Sequence, residues 1–149
     1  MMKKPLLTAA AALLLSTTTL SFADDVEDAI EYRQSIFKAI KYHFGPMAGM
    51  IRGKIDYDPA AFTLHAERVA ELAKMPGDGF IPGSDKGDTE AKATIWDNKG
   101  EFDEHLAALA ENTSALLDVS KTGDLDQIKP AFGEVGKTCK GCHDEFREE

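Results

Sequence analysis

The last part of the chain carries the most regular apolar repeat in the sequence. From residue 125 to residue 146, apolar side chains recur at alternating spacings of three and four: Leu125, Ile128, Phe132, Val135, Cys139, Cys142 and Phe146. This spacing follows the 3.6-residue turn of an α-helix, so the seven side chains share one helical face. The pattern predicts a buried helix on which both cysteines point inward.

Three further segments are predicted to be amphipathic helices, and no segment alternates with the period of two typical of a strand. The first helix should be disturbed at Gly45-Pro46, because proline lacks an amide donor, although a short extension could carry it through Met50. We expect the four helices at these places: 25–43, Pro59 to about 75 with Asp58 as its cap, 101–121, and from about Asp124 onward.

The segment between Met75 and Glu101 is rich in glycine, proline and aspartate, which predicts a long crossover loop. It carries apolar anchors that should pack against the helices: Phe80, Ile81, Ile95 and Trp96. The other two connections are short. An all-α fold, an antiparallel four-helix bundle with one long crossover loop, is the arrangement that these lengths favour.

The first 23 residues resemble a secretory signal peptide. Lys3 and Lys4 precede an apolar stretch that is roughly half as long as the ~20 residues a spanning helix needs, and Ser21-Phe22-Ala23 offers small residues for cleavage. We therefore expect 1–23 to be removed, leaving one exported domain, 24–149, without a membrane anchor.

The mature chain is strongly acidic. The leader contains two lysines and no acidic residue, so its removal changes the formal net charge from -9 to -11. Nucleic acid and anionic membrane surfaces repel such a protein, and we do not expect either as a partner.

The run Cys139-Lys140-Gly141-Cys142-His143 matches the pattern for covalent haem attachment. Two thiols three positions apart can form thioethers with the two haem vinyl groups, and the following histidine can bind the iron. A zinc site would need about four ligands, a thioredoxin-like pair would begin a helix after a strand, and a disulfide this short would restrain little. The sequence therefore predicts one haem c, with His143 as the iron ligand.

Three further residues are candidates for contact with this cofactor. Arg33 lies on the apolar seam of the first helix, where it could bind a haem propionate in a forked geometry or reach the edge of the bundle. Phe37, one turn later, could cover the haem or be ordinary core. Arg147 could lie beside the imidazole of His143 or near the last helix carbonyls. The other histidines are predicted to be solvated or peripheral: His43, His65 and His105.

Along nearly the whole mature chain, the sequence resembles cytochrome c′, a family that is itself a standard example of the up-down four-helix bundle. The resemblance rests on these stretches: Tyr32-Arg33-Gln34, Phe44-Gly45-Pro46-Met47, Pro82-Gly83-Ser84, Ile95-Trp96, 131–136 and 139–147. It implies a five-coordinate, high-spin haem in the periplasm and a homodimer formed through the first helices. It also implies that Arg33 and Gln34 lie near the propionates and that Asp88 reaches the haem edge.

The resemblance also favours a function in gas binding. Low-spin relatives place a methionine where this chain has Phe37, so the iron should have an open position for nitric oxide and carbon monoxide. Bound dioxygen usually needs a hydrogen-bond donor, which a phenyl ring does not offer. The alternative is a diffusible electron carrier with redox partner proteins. An enzyme is not expected, because no acid-base pair accompanies the haem motif.

We predict that the exported protein begins at Asp24 and carries the added mass of one haem, because covalent attachment takes place outside the cytoplasm. Intact-protein mass spectrometry under denaturing conditions measures both properties. A mass that includes residues 1–23, or that equals the polypeptide alone, would contradict this interpretation.

Overall fold

The computed structural model describes residues 18–148, and these form an all-α fold built on four long helices, as predicted. The helices are α1 (Thr18–Ile51), α2 (Pro59–Leu72), the short α3 (Thr94–Asp97), α4 (Lys99–Ser120) and α5 (Leu125–Phe146), with a 3-10 turn at Pro76–Gly79. The predicted leader lies mostly outside the described residues. None of the helices described is both long and apolar enough to cross a bilayer.

Local capping signals explain where α2 and α5 begin. The carboxylate of Asp58 accepts hydrogen bonds from the amides of Ala60 (2.9 Å) and Ala61 (3.1 Å), with proline at the first helical position. Asp124 accepts one from the amide of Asp126 (2.9 Å). These bonds satisfy amides that have no partner inside the helix, and both predicted starts are confirmed.

The predicted start of the first helix was wrong, whereas its end agrees with the extension through Met50 that the sequence left open. α1 begins at Thr18 and continues through Pro46 to Ile51 without a break. Met47 and Met50, which follow the proline, are 0% and 7% exposed, so a helix that stopped earlier would leave both side chains out of the core. Burial of two methionines outweighs the single hydrogen bond that Pro46 cannot donate.

The helices pack in the order α1, α2, α4, α5, with α1 also lying against the 3-10 turn. The core between them is built from fully buried side chains of all four helices, including Met47, Phe62, Leu116 and Ile128. Phe44 of α1 stacks on Phe132 of α5 at 4.3 Å between ring centroids. A second apolar cluster, formed by Ile95, Phe102 and Phe146, joins the crossover loop to α4 and the end of α5.

The crossover loop comes very close to α1 at Gly79. A Cβ atom at this position would lie 2.7 Å from the carbonyl oxygen of Ala29 and 2.7 Å from Cβ of Arg33. Since neither of these atoms can move without moving α1, only glycine allows this approach.

We predict that Gly79→Ala lowers the free energy of unfolding by roughly 1–3 kcal/mol, because the added methyl group forces the loop away from α1. Gly133→Ala is the matched control. That position lies on the exposed face of α5 with nothing within 4 Å of a new Cβ, so alanine should stabilise the protein by up to about 1 kcal/mol. Urea unfolding of both variants measures the difference, and equal effects would show that the approach at Gly79 is not tight.

Candidate functional site

A cavity of about 760 Å³ lies between α1, the crossover loop, α4 and α5. Its size is within the usual range for sites that hold organic ligands. Most of its wall is apolar, with side chains from each of the four surrounding segments: Phe37, Phe44, Phe80, Phe102, Leu109 and Phe146. It therefore suits a large, flat, mainly apolar molecule.

The thiols of Cys139 and Cys142 line this cavity, one turn apart on α5. Both are half-buried and free of disulfides. Burial raises the pKa of Cys139, and burial together with the charges of Cys139 and Glu145 raises the pKa of Cys142 to about 11. Among residues 18–148 no three His, Cys, Asp or Glu side chains converge on one point as a metal cluster would require. The neutral thiols fit thioether formation better than thiolate coordination.

His143 follows directly on α5 and also lines the cavity, and its side chain is exposed to solvent. Burial lowers the pKa of its imidazole, and the positive charge of Arg147 lowers it further, while Asp144 and Glu90 act in the opposite direction. The net shift favours the neutral ring, which is the form that binds a metal ion.

Arg33 is 2% exposed and lies on the cavity wall. Its Nη1 donates to the Gly79 carbonyl (2.7 Å) and to Ser84 Oγ (2.7 Å), and its Nη2 donates to the Ser84 carbonyl (2.6 Å) and to Thr89 Oγ1 (2.7 Å). The guanidinium also lies 4.5 Å from the ring centroid of Phe80. All four hydrogen bonds from the two terminal nitrogens of Arg33 therefore go to neutral oxygens of the crossover loop.

These contacts bear on the two geometries expected for Arg33. The side chain does not reach the edge of the bundle, because it is 2% exposed. The loop accepts the bonds of both terminal nitrogens, so only the Nε–H is left to meet a propionate. No carboxylate forms an ion pair with Arg33 within the part of the chain described. A buried cation without a counter-charge is costly, and a cofactor that brings two carboxylates into the cavity would offset that cost. The charge and the thiol pair thus both fit a haem.

Gln34, Phe37 and Asp88 also line the cavity, as their proposed contact with the cofactor requires. Gln34 Nε2 donates to the backbone carbonyl of Asp88 at 2.8 Å, so this bond fixes the loop through its main chain while the Asp88 side chain stays exposed. Phe37 is half-buried and packs against the main core.

Arg147 lies at the end of α5, close enough to His143 for its charge to act on the imidazole. Its Nε and Nη2 contact Oε2 of Glu90 at 2.6 and 2.5 Å. Backbone bonds reinforce this pair: the amide of Lys92 donates to the Phe146 carbonyl (3.0 Å), and that of Glu148 donates to the Glu90 carbonyl (2.7 Å). The loop therefore holds the end of α5.

The sequence did not point to Glu90 as a partner of Arg147. The two residues lie 57 positions apart, and no local pattern links residues at that separation.

The predictions for the other histidines were incomplete. His105 is half-buried on the cavity wall, with Nε2 3.4 Å from Glu145 Oε2 and its ring edge-on to Phe146. His105 lies three positions after the buried Phe102, which places it on the inner flank of α4. The helical periodicity of the sequence could therefore have identified this position. His43 is paired with His65 across α1 and α2, which was not predicted.

Comparison with known proteins identifies the cavity. A sequence profile of the family described as Cytochrome C′ matches residues 28–147. The chain belongs to the cytochrome c′ family. Proteins of this family carry a covalently bound haem c, and haem c is the cofactor of this chain.

Similar cytochromes c′ span the same domain. The protein from Rubrivivax gelatinosus is 45% identical over 122 residues, which cover 81% of this chain and 95% of that protein. The structure of cytochrome c prime from Shewanella frigidimarina has a TM-score of 0.82 at 49% identity and covers 83% of this chain and 97% of its own.

Two further structures contain gases. They are a nitric oxide complex and a carbon monoxide complex of variants of cytochrome c prime from Alcaligenes xylosoxidans, each with a TM-score of 0.78 at 35% identity. Each covers 83% of this chain and 97% of its own.

We predict that Arg33→Lys lowers the free energy of unfolding by at least about 2 kcal/mol. An ammonium has one nitrogen and cannot reach the acceptors that the two terminal nitrogens of Arg33 serve. Arg52→Lys, at an exposed position directly after α1, is the control and should change stability by no more than about 0.5 kcal/mol. Chemical unfolding of the haem-loaded proteins tests this, and similar losses in both would show that the loop does not depend on the guanidinium.

Proposed function

We propose that this chain is a periplasmic c-type cytochrome that binds nitric oxide and carbon monoxide at a five-coordinate, high-spin haem. Cys139 and Cys142 hold the cofactor through thioethers, and His143 is its one protein ligand. The haem supplies an iron with one open coordination position. Support for this assignment comes from the three side chains, which follow one another on α5 and line one cavity.

The observation that carries the proposal is the side chain of Phe37. It lies on α1 and lines the same cavity as His143, which is on α5. A phenyl ring cannot bind iron and donates no hydrogen bond, so it leaves the position open and gives dioxygen no stabilising donor. Nitric oxide and carbon monoxide bind without such a donor, and the two gas complexes of similar cytochromes c′ support this choice.

The predicted leader supports export, and the exposed apolar side chains of α1 and α2 support a homodimer through these helices. Tyr32 and Tyr42 on α1 and Leu64 on α2 are all exposed. The role we propose is binding rather than catalysis, because Arg33, Gln34 and Arg147 on the cavity wall are engaged in bonds to the crossover loop.

Electron transfer to redox partner proteins is the second candidate. It is favoured by the edge of the cavity, where Lys38 and Lys41 are exposed in a protein whose overall charge is strongly negative. Such a local contrast in charge can steer an acidic partner toward a redox cofactor. The two functions differ in whether the open position of the iron is used.

We predict that the ferrous wild-type protein is high-spin and binds carbon monoxide and nitric oxide, whereas Phe37→Met shifts the optical spectrum towards low spin and slows gas binding. A methionine sulfur at this position can occupy the open site. Phe62→Met is the matched control, since Phe62 is fully buried but lies outside the cavity lining, and it should leave the spectrum unchanged. A wild-type protein that is already low-spin in both oxidation states would overturn the gas-binding function and favour electron transfer.

A further inference from the structure

Two histidines meet on the side of the bundle formed by α1 and α2. Nδ1 of His43 lies 3.0 Å from Nδ1 of His65, and the ring centroids are 5.3 Å apart. Both side chains are half-buried, so they are held in place yet still reach solvent. Neither residue lines the haem cavity, and the proposed function uses neither.

The distance between the two nitrogens matches that of two ligands on one metal ion. Nitrogens bound at about 2.0 Å are about 2.8 Å apart at a right angle and about 3.3 Å apart in a tetrahedron. We propose that His43 and His65 form a second metal site, which binds a divalent transition-metal ion, Cu(II) most strongly, with water in the remaining positions. Cu(II) favours tetragonal sites of nitrogen and oxygen donors and leads the order of affinities of the first-row divalent ions.

Proton positions permit this binding. In the hydrogen-bonded pair, Nδ1 of one ring carries a proton and donates it in a hydrogen bond to the unprotonated Nδ1 of the other ring. When an ion binds both Nδ1 atoms, that proton moves through solvent to Nε2 of the same ring, so two neutral histidines bind the ion without net proton release. The solvent contact of both rings provides this route.

The helices hold the two rings in place before any ion binds. Ala66, next to His65, is fully buried, as is Met47, one turn after His43. Because α1 and α2 are packed through these side chains, little ordering remains to be done when the ion arrives.

One neighbouring charge opposes the ion. Burial lowers the pKa of His43, and the positive charges of His65 and Arg68 lower it further, which places the guanidinium of Arg68 within electrostatic reach of the pair. The same charge must weaken the binding of a divalent cation. Removal of this charge should therefore tighten the site, an effect that a purely structural histidine contact would not show.

The test is a titration of the ferric, haem-loaded protein, without an affinity tag, with Cu(II) followed by calorimetry and electron paramagnetic resonance. We expect one ion per chain with nitrogen hyperfine structure. His43→Gln and His65→Gln should each weaken binding by about tenfold or more, and Arg68→Gln should tighten it by about twofold or more.

His105→Gln is the control, because it removes a different half-buried histidine and should leave the affinity for Cu(II) unchanged. Two separate glutamine variants keep the test decisive if one of them folds poorly. The proposal is overturned if both variants bind Cu(II) as the wild type does, or if the wild type shows no saturable binding. The optical spectrum of the haem, recorded in parallel, reports on the proposed function independently of either result.

Discussion

The buried guanidinium of Arg33 is the contact on which the shape of the haem cavity depends. It binds the crossover loop at both ends of the segment from Gly79 to Thr89 and so presses that segment onto α1. Burial lowers the pKa of Arg33, yet a guanidinium keeps its proton under any physiological condition. The four bonds are therefore charge-assisted throughout the physiological pH range, and the loop that they hold contributes Phe80 to the cavity wall.

The loop is fastened at its other end to the helix that carries the chemistry. Lys92 bonds to Phe146, the last residue of α5, and Glu90 pairs with Arg147 and Glu148, which follow the helix. This link adds to the contacts that Phe146 makes with Phe102 and His105 of α4. The crossover loop thus connects α1 to the end of α5 around the cofactor, which explains why a connection of this length occurs in so small a domain.

Sequence reasoning succeeded where the deciding interactions are local. The starts of α2 and α5 follow from Asp58 and Asp124, whose carboxylates cap amides two or three positions away, and the thiols of α5 point inward as its periodicity requires. It left the continuation of α1 past Pro46 open, because the reason for continuing that helix is tertiary burial of methionines. The partners of Arg33 and Arg147 lie 46 to 57 positions away along the chain, and no pattern of spacing identifies them.

The same buried charge links the architecture to the proposed chemistry. A fixed positive charge acts over a longer range beside an apolar cavity than in water, because the surrounding medium screens it poorly. Arg33 lines that cavity, and a fixed positive charge there favours whichever state of the cofactor is more negative. The reduced state has one electron more than the oxidised state, and it is also the state that binds carbon monoxide. The residue that fastens the loop therefore also favours the reduced state of the cofactor.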